Sequence, residues 1–459
     1  MSIHKLSAGS GYDYLTRQVA ALDATHKGRV GLASYYSERG EAPGVWVGSG
    51  LDGIDGLAVG DPVTAEQMRY LFGEGRHPLS AELTRQTPDV AATEQVTRLG
   101  LPFKTYLDDS AFRRAVAGRF AAVNRAAGRR AGAPLPADER ARIRTEVARE
   151  FFRRQHGRNP RDARELSGAL ARLSRPATTA VAGYDLTFSP VKSVSSLWAL
   201  ADPPVAAQVE QAHDAAVADA LRYLEQHALF TRVGANGVRQ VDVKGLVAAA
   251  FTHRDSRAGD PDLHTHVAVA NKVQTLDGRW LSIDGRVLFA ATVAASETYN
   301  TALEHHLTKR LGVRFADRLG GDPRKRPVRE IIGVDPRLNQ RWSARRYVIE
   351  VRQAKLAAQF QQDHGRPPTA VEAVQLAQQA TLETRDAKHE PRTLAEQRAT
   401  WHTQAVDVLG SPDAVEQMVS AALHPAQVDQ QLLDARWVAA TAERVVAVLE
   451  EHRAIWQVW

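Results

Sequence analysis

Cysteine is absent from the 459 residues, methionine occurs three times, and no long apolar run interrupts the chain. Without thiols there is neither a disulfide framework nor a thiolate metal site, and a reducing cytoplasm is the expected home. The more apolar stretches, such as Leu246–Phe251 and Val287–Ala295, are far too short to cross a bilayer. Met1-Ser2-Ile3-His4-Lys5 opens no apolar run of the signal-peptide kind. No Gly-rich phosphate loop ending in Gly-Lys-Ser or Gly-Lys-Thr occurs, so nothing points to an ATPase. Internal repeats and low-complexity tracts are missing as well.

What is present leans basic. The net charge is +6 and the pI about 9.5, a mild preference for a polyanionic partner. The surplus is concentrated. Residues 111–175 hold seventeen arginines, no lysine and six acidic residues, a local excess of eleven. A nucleic-acid contact and a solvated basic helical arm both fit that cluster.

The chain divides into four stretches. Residues 1–102 mix short helices and loops and carry four tyrosines. Residues 103–177 read as an inserted Arg-rich helical arm, with Phe112, Val116, Phe120 and then Ile143, Val147, Phe151 at helical spacing. Residues 178–320 alternate strands and helices. Tyr184–Phe188 predicts a strand, and Ser189-Pro190 the cap and first position of a helix running to about Leu200. Strands follow at Val238–Val243, Leu246–Arg254, Leu263–Val273 and Trp280–Ile283, then a helix over Ala294–Leu311. Residues 321–459 are mostly helical. The fold class is α+β: a central antiparallel sheet with flanking helices, a helical insertion and a helical C-terminal region. The sequence stops inside a helical pattern at Ile455-Trp456-Gln457-Val458-Trp459, as a chain cut before a further domain would.

The strongest chemical signal is three histidines. In a strand, alternate side chains share a face, so His264 and His266 point the same way. His253 ends the preceding strand, and an antiparallel return across the Asp260-Pro261 loop brings it opposite the pair. Three imidazoles then form a facial site for one divalent ion, with open positions for water or a substrate oxygen. Imidazole tolerates Mg²⁺, Mn²⁺ and Zn²⁺ alike, so the ligand set does not choose among them. His305-His306, His26, His77, His213 and His402 read as surface residues.

Such a site serves either water activation in a phosphodiesterase or a protein nucleophile. Tyr12, Tyr14, Tyr35 and Tyr36 favour the second, because a phosphotyrosine conserves the energy of the cut. If Asp13–Leu22 is helical, Tyr12, Leu15, Val19 and Leu22 make its apolar face and Tyr14 lies about 200° from Tyr12. Tyr12 is then the core residue and Tyr14 the nucleophile.

Three segments resemble the MobF-type conjugative relaxases, DNA-nicking enzymes of the HUH endonuclease superfamily. They are Ser7-Ala-Gly-Ser-Gly-Tyr12-Asp-Tyr14 with Tyr35-Tyr36 and Trp46, Gly183-Tyr-Asp185-Leu-Thr187-Phe-Ser189-Pro-Val-Lys192-Ser-Val-Ser195, and His253-Arg-Asp-Ser-Arg257 with Asp260-Pro-Asp-Leu-His264-Thr-His266. Together they span residues 1–320 in the family's order. The resemblance implies strand-specific nicking and strand transfer at an origin of transfer, through a 5′-phosphotyrosine. It also implies one divalent ion, single-stranded DNA and an origin hairpin as partners, and accessory relaxosome and coupling proteins. A bacterial cytoplasm is implied, with passage to the recipient alongside the DNA. Asp185 falls where the family has a carboxylate beside the nucleophile and the metal ligands. Thr187, Ser189, Lys192 and Arg257 fall where DNA contacts are expected. An ungapped match puts the nucleophile at Tyr14, and a two-residue gap would put it at Tyr12; Tyr35 and Tyr36 are candidates for a second transfer step.

Overall fold

The computed structural model describes residues 1–9, 11–12, 15, 44–87, 89–103, 110–130, 133, 135–173, 180–320, 326–384, 392–425 and 435–452. At its centre lies a five-stranded antiparallel sheet. The strands are β1 (Ser2–Ser7), β2 (Val45–Val47), β3 (Val181–Phe188), β4 (Ala248–Asp255) and β5 (Pro261–Ala270). Their spatial order is β1-β3-β5-β4-β2, which puts β5 in the middle and the two short N-terminal strands at the edges. The α+β class is as expected. Both edge strands, however, fall in a stretch read as helices and loops.

One sheet face carries Leu186, Phe188, Val267 and Val269, and helices cover it. These are α4 (Lys192–Leu200), α5 (Pro203–His227) and α6 (Thr292–Leu311). Asp202 caps α5 by accepting a hydrogen bond from the Val205 amide at 3.0 Å, with Pro203 in the first turn. Gly312 ends α6 at φ 71°, a left-handed stop that suits glycine. α4 begins at Lys192 rather than Pro190, and its cap position, Val191, offers no side-chain hydrogen bond. Ser189 is therefore exposed and caps nothing. Trp342 and Trp401 join the same core, so part of the C-terminal region packs with the sheet.

The other face is lined by Ala249, Phe251, Ala268 and Ala270, and the N-terminal residues Leu6, Tyr12, Leu15, Trp46 and Phe72 cover it. Gly183 permits this packing, because a Cβ there would sit 2.9 Å from the Phe72 ring and closer still to the Val269 carbonyl oxygen.

The arm is a three-helix unit with its own core. α1 (Ser110–Ala126), α2 (Ala137–His156) and α3 (Ala163–Leu173) bury Phe112, Val116, Leu135, Ile143, Val147 and Leu166 among themselves. Phe120 and Phe151 pack against that cluster, as the periodicity predicts. Further on come α7 (Ala344–His364), α8 (Ala370–Glu383) and α9 (Leu394–Leu409). Among the described residues no helix is long and apolar enough to cross a membrane.

Candidate metal centre

The β4–β5 hairpin brings the three expected histidines together. His253 pairs directly with His264, and His266 pairs with Phe251 on one side and Thr187 on the other. The ring centroids form a nearly equilateral triangle, 5.3 Å for His253–His264, 5.4 Å for His253–His266 and 5.3 Å for His264–His266. The His253 and His264 rings are stacked, 29° apart in plane. Among the described residues no group of three or more His, Asp or Glu side chains is closed into a chelating array.

The outer nitrogens of two rings are already committed. Nδ1 of His266 lies 3.0 and 2.9 Å from the two carboxylate oxygens of Asp185, with Thr187 Oγ1 at 3.2 Å. Nδ1 of His264 lies 2.6 Å from the Asp262 carbonyl oxygen. A carboxylate and a carbonyl accept, so Nδ1 is the donor in both rings, and Nε2 is the atom that carries the lone pair of a neutral ring. Burial, the largest cause, pushes His264 down to about 4, which keeps it neutral at ordinary pH. Imidazoles anchored through Nδ1 are what a metal site uses, so His264 and His266, with His253 beside them, fit a divalent ion.

Other predicted residues scatter. Asp185 is buried beside His266, and Thr187 is half-buried on the same face. Lys192 does not reach outward: its ammonium donates to the Pro261 carbonyl at 3.0 Å and pairs with Asp262 at 2.9 Å, bracing the hairpin. Arg257 lies half-buried in the β4–β5 turn, and Ser189 is exposed. Tyr12 is buried, its ring 6.2 Å from Phe72, in agreement with its place on the inward face. Tyr14, Tyr35 and Tyr36 lie outside the described residues.

The turn itself is held from afar. Gly259 adopts φ 78°, and the Ser256 amide donates to the Asp260 carbonyl at 2.9 Å. Trp401 Nε1 donates to the Gly259 carbonyl at 2.9 Å, Gln397 to the Asp255 carboxylate at 2.8 Å, and the Ala344 amide to the Asp260 carboxylate at 3.2 Å.

Two histidines near the centre were not expected there. His213, read as a surface residue, is fully buried on α5, with Nε2 2.8 Å from Thr265 Oγ1 and Nδ1 2.8 Å from the Tyr299 hydroxyl. A lone histidine on a helix gives no sign of this, since its partners are distant in sequence. His4, exposed on β1, pairs across the sheet with Asp185 and so shares its face.

The profile of the TrwC relaxase family matches residues 8–408, and the chain belongs to that family. The multifunctional conjugation protein TraI of Escherichia coli is 35% identical over 213 residues, 42% of this chain. That match takes in only 12% of TraI's own length. A conjugative relaxase TrwC solved in complex with oriT DNA has 21% identity and a TM-score of 0.48, over 89% of this chain and 98% of that one. A TrwC complex with a 27-mer comprising the recognition hairpin and the cleavage site gives 22% identity and a TM-score of 0.45, over 89% and 98%.

Proposed function

We propose that this chain nicks one DNA strand at an origin of transfer and holds the cut end on a tyrosine, beginning conjugative transfer. The observation that supports this most is the sharing of one sheet face. His264, His266, Ala268 and Ala270 alternate along β5 on the same side. Tyr12 and Leu15 belong to the same buried cluster as Ala268 and Ala270 on that side. The tyrosine-bearing segment and the histidines are thus held by the same few strands.

In this reading His253, His264 and His266 would hold one divalent ion, with Asp185 orienting the His266 ring and the Asp262 carbonyl the His264 ring. When bound, the ion withdraws charge from the scissile phosphate and favours the extra charge of the transition state. Tyr14 supplies the nucleophile. Its phenolic oxygen bonds to phosphorus as the bond from phosphorus to the 3′ oxygen breaks, leaving a 5′-phosphotyrosine and a free 3′-hydroxyl. The same bonds exchanged in reverse rejoin a strand. Single-stranded DNA and an origin hairpin are the partners this requires.

The test is a covalent adduct. Incubated with labelled single-stranded origin DNA and Mn²⁺, the chain should yield a denaturation-resistant complex whose peptide map places DNA on Tyr14. DNA on Tyr12 would refute the helical-face assignment. Cutting without an adduct would instead identify a hydrolase that activates water.

A further inference from the structure

The geometry points to a second DNA-binding surface on the three-helix arm, one that takes the sugar-phosphate backbone of duplex DNA. It rests on the reading of this chain as a DNA-processing enzyme and adds a surface away from the histidine centre.

The arm's acids are mostly used internally. Arg142 reaches Glu139 and Glu146, Arg119 pairs with Glu150 at 2.8 Å, and Arg158 with Glu165 at 2.6 Å. Asp162 accepts from the Glu165 amide at 2.7 Å at the start of α3. The surplus is arginine, and it is outside: Arg149, Arg153, Arg161 and Arg164 are all exposed. Their placement has direction. At 100° per residue, Arg142, Arg149, Arg153 and His156 fall within about 60° of one line along α2, a track about 21 Å long. The track ends at a cleft of about 410 Å³ lined by His156, Arg161 and Arg164, with Phe152 alongside; the two acids in its lining, Asp162 and Glu165, are those already engaged by the Glu165 amide and by Arg158. The His156 ring leans on Phe152 at 4.3 Å between centroids.

What the surface lacks selects the partner. Single-strand binders stack bases on exposed aromatic rings. Between residues 110 and 173 the aromatics other than histidine are four phenylalanines. Phe112 and Phe152 are buried, and Phe120 and Phe151 pack on the same core. Membrane-surface helices insert apolar side chains. Among the described residues, no exposed large hydrophobic falls between 110 and 173. Cations without stacking platforms or apolar anchors fit a regular array of phosphates, which duplex DNA presents at one charge per roughly 1.7 Å of axis.

The decisive measurement is the salt dependence of binding to a 20-base-pair duplex of arbitrary sequence. It compares the full chain with a variant carrying Arg149→Gln, Arg153→Gln, Arg161→Gln and Arg164→Gln. Each phosphate contact contributes a slope of about −0.9, so loss of all four should make the variant's slope shallower by about 3.6. Between 50 and 200 mM salt, the affinity lost by the wild type should exceed that lost by the variant by about 150-fold. Circular dichroism should be unchanged, since the four side chains are exposed. An unchanged slope overturns the proposal. So does a variant that keeps its duplex slope but loses binding to vesicles of phosphatidylglycerol. Adduct formation with a single-stranded origin oligonucleotide is followed in parallel: its absence in the wild type counts against the relaxase reading and leaves the duplex result standing.

Discussion

Thr265 lies between His264 and His266 in the chain but turns to the opposite face of β5, where its hydroxyl meets Nε2 of His213 at 2.8 Å. Thr252 Oγ1, next to His253, bonds the same hydroxyl at 2.9 Å. The strands that carry the three histidines are therefore pinned from behind by one buried imidazole. His213→Leu would leave the Tyr299 hydroxyl and part of the Thr265 hydrogen-bonding capacity unmet in a dry core. The expected cost is about 2–4 kcal/mol, read as a lower midpoint in urea. His213→Gln should recover part of it. A leucine variant as stable as the wild type would show that the network holds nothing.

The same residue gives a pH signature. Burial, its main cause, pushes His213 down to about 3, whereas an unfolded histidine titrates near 6.5. Its contribution is complete above pH 6.5. As pH falls from 6.5 toward 3 the unfolded chain takes up a proton that the folded chain refuses, and stability drops by up to about 1.4 kcal/mol per pH unit. The stability advantage of wild type over His213→Gln should therefore shrink between pH 7 and pH 4. A difference constant with pH would contradict the buried neutral state.

Replacing His264 or His266 with alanine should abolish nicking and remove Mn²⁺ binding measured by calorimetry. DNA binding should survive within a few-fold, because it is spread over many phosphate contacts. Full cutting by the double variant would refute the metal centre.

Asp185→Asn keeps the shape at His266 Nδ1 but removes the charge that holds it. Both carboxylate oxygens approach that nitrogen, so orienting the ring is the role the geometry favours over proton abstraction. Outer carboxylates of this kind are worth about 10–100-fold in metal affinity. A loss of cutting with Mn²⁺ affinity intact would instead point to Asp185 as the base that takes the tyrosine proton.

The hairpin was legible because strand alternation puts His264 and His266 on one face and a short return brings His253 opposite the pair; the pairing of His253 with His264 in particular depends on a register shift between His253 and Asp255 that spacing does not announce. The arm's packing followed from helical periodicity in the same way. β1 and β2 were not legible. Ser-Ile-His-Lys-Leu-Ser buries only Leu6 fully, and Val45–Val47 is three residues long. Edge strands of that size take their structure from the neighbour they pair with. The start of α4 was misplaced for a related reason, since Ser189-Pro190 has the composition of a helix cap but follows directly on β3. His213 was missed because its burial depends on Thr265 and Tyr299, 52 and 86 positions further along.

The grip of Trp401 and Gln397 on the β4–β5 turn also sets an order in time. A ribosome releases His266 more than a hundred residues before it releases Trp401. At ordinary translation speeds that interval is on the order of ten seconds. Until it has passed, the turn lacks the hydrogen bonds from Gln397 and Trp401, and the nascent hairpin has only its earlier partners such as Lys192. Completion of the turn is thereby tied to synthesis of α9, so a chain interrupted before that helix would carry every histidine of the centre on a turn short of two of its hydrogen bonds.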